Sequence, residues 1–264
     1  MPELVESINC PKCGGPLRLT TGEVIVTCPY CGTASRMRGD KPFVLRHAML
    51  AARLDQAGAE AAIVAWMSGG VLKPDDLRRA SRVTSLECLY VPFYVFEVDA
   101  TTAYAGVLTR TGTHERREGR LERNYFWKVL ARRSGTFPVR EYKLPLAHKV
   151  PFDTAAMLRD ARFLNAEVDE DEAARIAREQ VDVHQRELLK DLVDVVERAV
   201  TQVDVTDTEF LHAPLWFATY AYRERSYEIV IDAASGEVVR GEIPPPTGGL
   251  GEALRDAGRG LFRP

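Results

Sequence analysis

The sequence predicts an α+β fold in which a small cysteine-rich module precedes duplicated antiparallel β units with helical inserts. Three observations support this fold class. Four of the five cysteines form two C-x2-C pairs near the N-terminus. An apolar and aromatic run around a proline occurs twice, 122 residues apart. Helical periodicity fills the stretches before the first run and between the two runs.

The composition is that of an ordinary globular protein. The chain has 264 residues, of which 45% are hydrophobic and 28% charged, and its formal net charge is -3. These values exclude a disordered chain and a generally basic nucleic-acid coat protein. The N-terminus is acidic and no long apolar window occurs, so we expect a cytoplasmic protein.

The two cysteine pairs are the most specific motif. Residues 10–14 read CPKCG and residues 28–32 read CPYCG. Proline fixes the turn after the first cysteine, and glycine after the second allows a left-handed turn. Four thiolates complete a tetrahedral shell without an open position, so we predict one structural Zn²⁺ ion and no catalytic metal chemistry. The predicted ligands are Cys10, Cys13, Cys28 and Cys31.

These cysteines define a rubredoxin-like zinc ribbon over residues 1–40. Residues 17–20 and 23–27 alternate in polarity around Thr21-Gly22, which predicts a hairpin that brings the two knuckles together. Iron remains an alternative metal, because the same paired knuckles hold iron in rubredoxin-like sites. Disulfides or unligated thiols fit a cytosolic chain poorly. The fifth cysteine, Cys88, is interpreted as a small buried hydrophobe.

A helical segment is predicted over residues 41–82. Helical periodicity begins at Phe43 and continues to Trp66, and Gly69-Gly70 ends it. Pro74, with two aspartates after it, then suits the first turn of a short helix that runs to about Ala80.

The internal repeat predicts two related β units, a first over residues 83–150 and a second over 203–246. Residues 90–96 and 212–218 each carry a proline within an apolar and aromatic run. We expect each proline at the first position of a strand that is buried on both faces. The second unit predicts a three-stranded meander, with strands at 217–222, 226–232 and 237–240. Whether the units share one sheet or form two stays open.

A helical insert over residues 151–202 separates the two units. Asp169 is a good N-cap, with Glu172 three residues later. Apolar residues then recur at helical spacing, which predicts one long amphipathic helix from about 170 to 200. His184 falls on its apolar stripe, where we expect a core histidine and not a metal ligand.

Charge is divided unevenly between neighbouring stretches. Residues 106–150 carry a net charge of +7 and residues 152–209 one of −9. Mutual neutralisation of the two stretches is the simplest interpretation. A basic amphipathic pattern also occurs in the tail, residues 247–264, which suits either docking on a partner or membrane surface or a frayed end.

The chain resembles a bacterial TFIIB-type zinc-ribbon family whose members are often labelled primosomal protein N′ or helicase-like. The resemblance rests on the two CPxCG knuckles, residues 73–77, 90–94, 133–137, 214–216, 235–238 and 241–244. It implies a link to membrane-stress systems of the PspA and SPFH type, in which a hydrophobic segment follows the second repeat. This chain has the short tail there instead. The helicase label conflicts with the sequence, which contains no phosphate-binding Gly-x4-Gly-Lys-Ser/Thr motif.

These features favour a non-enzymatic protein-interaction scaffold or adaptor. We expect a protein partner or a second copy of the chain, and at most peripheral membrane contact. The alternative is a nucleic-acid-binding protein that uses the basic segment 106–150, where arginines such as Arg116, Arg117, Arg132 and Arg133 lie near aromatic residues. No histidine or serine pattern of a hydrolase is present, so we predict no catalytic residues.

Overall fold

The computed structural model describes residues 4–36, 43–70, 72–109, 112, 114–133, 137 and 142–245. It shows a mixed helical and mostly antiparallel β protein with the cysteines clustered near the N-terminus. The strands are β1 (Leu4–Asn9), β2 (Pro16–Thr20), β3 (Ile25–Thr27), β4 (Ala34–Arg36), β5 (Phe43–Val44), β6 (His47–Leu50), β7 (Ser81–Leu108), β8 (Glu115–Leu130), β9 (Lys149–Pro151), β10 (Arg162–Phe163), β11 (Val195–Tyr222), β12 (Arg225–Asp232) and β13 (Val238–Gly241). The α-helices are α1 (Gln56–Met67), α2 (Leu77–Ala80) and α3 (Glu170–Leu188).

One eight-stranded sheet forms the body of the protein and contains both predicted β units. Its centre is the pair β7 and β11, two 28-residue strands that run antiparallel along almost their whole length. β8 extends the sheet beside β7, and β12 followed by β13 extends it beside β11. The predicted meander of β11, β12 and β13 is confirmed.

The strand register is symmetric about the pair formed by Val91 and Ala213. Tyr90 lies opposite Pro214, and Pro92 lies opposite His212. Beyond each proline the long strand pairs with the strand that follows it in the chain, β8 or β12. Before each proline it accepts a short parallel neighbour from the other half of the chain, β10 beside β7 and β6 beside β11. The two halves of the chain therefore exchange their short strands.

The two prolines lie within the long strands, so their predicted position at a strand start was wrong. The carbonyl of Pro92 accepts the N–H of Ala131 at 3.0 Å, and that of Pro214 accepts the N–H of Ala233 at 2.9 Å. In an extended strand the nitrogen of a residue points to the same side as its carbonyl. Each proline nitrogen therefore faces the junction between a short parallel neighbour and a hairpin partner, where a missing donor costs little.

The helix predicted from Phe43 was also wrong. Residues 43–44 and 47–50 are strands, and the helix begins only at Gln56, where the side chain of Asp55 accepts the N–H of Gly58 at 2.9 Å. Hydrogen bonding to β11 overrides the helical pattern, because β6 fills the side of β11 beyond the hairpin. The end of this helix before Gly69-Gly70, and a short helix ending at Ala80, agree with prediction.

The long helix predicted over 170–200 ends early. Its start is confirmed, because the carboxylate of Asp169 accepts the N–H of Glu172 at 2.9 Å. The helix ends at Leu188, and β11 begins at Val195. The stretch after 193 is rich in valine at alternating positions and finds a long partner in β7, so strand pairing prevails over helical spacing.

Both predicted apolar runs are buried on their two faces, as expected. Residues 90–96 and 210–216 are buried throughout. One face of the sheet packs on α1, α3 and part of the ribbon, and the other packs on the segment around Tyr142. Cys88 is a buried hydrophobe, 5% exposed, as predicted.

Two predicted regions fall wholly or mainly outside the described residues. These are the strand around 136–139, of which only Phe137 is described, and the tail 247–264. Among the described helices, none combines the length and the apolar character that crossing a membrane requires.

Candidate metal centre and neighbouring surfaces

The ribbon consists of two hairpins, each built around one cysteine pair. β1 pairs with β2 around the first knuckle, and β3 pairs with β4 around the second. The predicted hairpin between residues 17–20 and 23–27 was wrong, because β2 and β3 belong to different sheets. A turn does occur at Thr21-Gly22, but it only connects them. The two knuckles meet because each one lies at the end of its own hairpin.

The four predicted ligands converge on one point. The sulfur atoms of Cys10, Cys13, Cys28 and Cys31 all lie within 4.8 Å of one another. The Cys10–Cys31 and Cys13–Cys28 sulfur distances are each 3.7 Å. A tetrahedral ion with metal–sulfur bonds of about 2.3 Å gives sulfur–sulfur edges of about 3.8 Å, whereas a disulfide needs about 2.05 Å. The cysteines therefore form a possible metal site and not disulfides.

The two knuckles have the same backbone geometry. The N–H of Gly14 donates to the carbonyl of Cys10, and the N–H of Gly32 donates to the carbonyl of Cys28, each at 2.9 Å. Both glycines have positive φ, +74° and +68°. The left-handed turn that the sequence predicts after each second cysteine is thus present.

The thiols differ in how readily they ionise. Burial raises the pKa of Cys28 to about 12. At Cys31 burial also opposes ionisation, but hydrogen bonds from the hydroxyl and backbone of Thr33 outweigh it and lower the pKa to about 6. A metal binds thiolates, so binding releases protons from the site.

The ribbon is anchored to the body of the protein by polar contacts at Asn165. Its amide oxygen accepts the N–H of Thr27 at 3.0 Å, and its amide nitrogen donates to Glu23 at 3.1 Å. Beside it, Ile25 forms a β-bridge with Ala166, and both are fully buried. The ribbon core is therefore continuous with the core under α3.

A buried histidine pair, which the sequence did not predict, joins the second knuckle to the centre of the sheet. His47 Nδ1 lies 2.8 Å from the carbonyl oxygen of Gly32, and its Nε2 lies 2.7 Å from Nδ1 of His212. His212 Nε2 lies 2.8 Å from the carbonyl oxygen of Leu164. Phe152 stacks on His47 at 3.9 Å. Two neutral rings supply two N–H groups for these three contacts, so one carbonyl receives no proton from the pair.

Burial keeps a third proton out of this pair. Removal from water lowers the pKa of His47 to about 2 and that of His212 to about 4. His212 is fully buried and His47 partly buried. The rings are therefore neutral near pH 7 and contribute to the docking of the ribbon.

An apolar groove of about 790 Å³ lies beside the edge strand β8. Two large apolar side chains in it are exposed, Phe126 at 66% and Val183 at 59%. Trp127 forms one wall, and its indole N–H donates to Gln180 of α3 at 2.9 Å. The groove is also lined by Val95, Tyr125, Lys128, Lys143, Leu144, Leu146 and Glu179. Such a combination of exposed apolar surface and a few polar groups is typical of binding sites.

His184 lies partly buried next to this groove. Its ring centre is 5.5 Å from those of Tyr125 and Trp127. The apolar stripe of α3 is formed by Ala173, Ala177 and Val181, and Gln185 continues it in place of His184. His184 therefore packs against aromatic rings at the margin of the core.

The arginines predicted to contact phosphates are engaged by carboxylates of the same chain. Arg132 pairs with Glu167 at 2.9 Å, and Arg133 with Glu172 at 2.6 Å. The other two also have partners: Arg116 pairs with Glu197 at 3.3 Å and Arg117 with Glu115 at 3.1 Å. Three of these four pairs join the basic stretch to the acidic one, in agreement with mutual neutralisation. They weigh against a free phosphate-binding surface at these positions.

Comparison of the chain with models of protein families, with curated proteins and with solved structures finds no match.

Proposed function

We propose that the protein is a non-enzymatic adaptor in which one structural zinc ion holds the ribbon, and in which the groove beside β8 binds a protein partner. The support for zinc is the chemistry of the donor set. Four thiolates at tetrahedral spacing suit Zn²⁺, and they leave no position for water or substrate. Iron in the same shell is the competing metal.

The groove carries the binding part of the proposal. Phe126 is 66% exposed although it belongs to a regular strand, and Trp127 and Val183 flank it. Aromatic anchors in a preformed groove are the usual source of affinity at protein interfaces. Lys128 and Lys143 also line the groove, so a peptide with apolar and acidic residues suits it best.

We further propose that the two halves of the body arose as duplicated units. The symmetric register around Val91 and Ala213 and the exchange of β6 and β10 support this origin. Each half also places an aspartate N-cap, Asp55 or Asp169, after its short strand. Such an arrangement builds a rigid sheet that presents surfaces at both ends.

Selection of a displayed random-peptide library against the zinc-loaded full chain tests the adaptor function. We expect enriched peptides with apolar and acidic residues, and at least a roughly ten-fold loss of affinity in Phe126→Ser. Leu72→Ser is the matched control, since Leu72 is 76% exposed and lies away from the groove lining. Failure to enrich any peptide, or equal binding by Phe126→Ser, would contradict the proposal.

A further inference from the structure

β8 has an open edge. It is paired with β7 along its whole length and, in the part of the chain that the structure describes, with no other strand. Because Ala131 donates to Pro92 of β7, the even-numbered residues of β8 point their backbone groups away from β7. The carbonyl of Glu122 on that side accepts a bond from the side chain of Arg123 at 3.0 Å. A long exposed edge is a template for pairing with another strand.

The charges along this edge are complementary to themselves. At equal distances on either side of Gly119 lie residues of opposite charge: Glu118 and Arg120, Arg116 and Glu122, Glu115 and Arg123. The remaining positions, Arg117 and Leu121, hold one charge between them. A strand with this pattern matches a second copy of itself in the antiparallel orientation, because each residue then lies opposite its mirror position.

We propose that two copies of the protein associate through β8, antiparallel and centred on Gly119, so that their sheets join into one. A two-fold axis at Gly119 places even-numbered residues opposite even-numbered residues, so the open backbone groups of the two copies face each other. Glu118 of one copy then lies opposite Arg120 of the other, and both remaining charge pairs form as well.

The register is specific to this centre. Moving the axis to position 118 places Arg116 opposite Arg120. Moving it to position 120 places Glu118 opposite Glu122. Like charges directly opposite each other destabilise a strand pair, so the neighbouring registers are disfavoured.

The residues at the axis leave room for this approach. Gly119 lies against Tyr104 of β7, and a Cβ atom at Gly119 would be 2.9 Å from the Tyr104 hydroxyl oxygen. No side chain therefore stands between the two strands at the axis. Arg120, Glu122 and Arg123 are exposed and form no ion pair among the described residues. The second copy supplies their partners.

Sedimentation or light scattering of the zinc-loaded full chain tests the proposal. We expect a concentration-dependent dimer that weakens as salt is raised, because salt screens exposed charges. Arg120→Glu and Glu118→Arg each place like charges opposite one another at two positions, and each weakens self-association by at least about ten-fold.

Mixing these two variants provides the decisive arm. In the mixed dimer Glu118 of the Arg120→Glu protein meets Arg120 of the other chain, and the two new residues meet each other as Glu and Arg. Association therefore returns in the mixture. Arg225→Glu and Glu224→Arg, exposed at the β11–β12 hairpin, are the matched controls and leave the dimer unchanged. A monomeric wild-type chain at all concentrations, single variants that still dimerise, or a mixture that stays monomeric would each overturn the proposal.

Discussion

Acid should destabilise the protein through its buried histidine pair. In the unfolded chain a histidine binds a proton below about pH 6.5, whereas His212 stays neutral in the fold until about pH 4 and His47 until about pH 2. The stability gained from neutral rings is therefore complete above pH 6.5 and is lost as the pH falls. At about pH 5 the loss is about 2 kcal/mol for His212 and about 1 kcal/mol for the partly exposed His47.

Urea unfolding near pH 7.5 and near pH 5, in excess zinc, measures this loss. The comparison protein is His47→Gln/His212→Gln, which keeps polar groups at both positions but cannot titrate. Metal release at low pH affects both proteins, so the difference between them reports the histidines. We expect the free energy of unfolding of the wild type to fall by about 3 kcal/mol more than that of the variant. Equal pH dependence in the two proteins would refute the reasoning.

Three further substitutions test how the ribbon is held, each by urea unfolding. Gly32→Ala should cost more than Gly14→Ala, because both have positive φ but only at Gly32 would a Cβ meet Phe152, at 2.9 Å; equal losses would contradict this. Asn165→Ala should cost about 1–3 kcal/mol by leaving the Thr27 N–H unpaired, whereas the exposed Asn124→Ala should stay within about 0.5 kcal/mol. Arg132→Ala should cost about 2 kcal/mol and leave retention on DNA unchanged; reduced DNA retention would favour the nucleic-acid alternative.

The parts of the fold predicted correctly are those fixed by local chemistry. The knuckle turns follow from proline and glycine beside the cysteines, and the start of α3 follows from Asp169 as N-cap. The meander after Pro214 follows from alternating apolar residues and turn residues. In each case the residues that decide the structure lie within a few positions of one another.

The errors arose where distant partners decide the structure. Residues 47–50 become a strand because β11, more than 150 residues later, offers an open side. Residues 195–200 satisfy both a helical and an alternating pattern, and only the presence of β7 selects the strand. The histidine pair joins positions 47 and 212, and no local signal connects them.

The metal centre is the feature on which the account depends most directly. Elemental analysis and a native mass spectrum of chain prepared without oxygen should show one zinc ion per chain and no disulfides. Cys10→Ser and Cys28→Ser should lose that ion after dialysis against a chelator, while Cys88→Ser, which lies outside the cluster, should retain it. A wild-type chain that binds no metal yet keeps the ribbon folded would contradict the account.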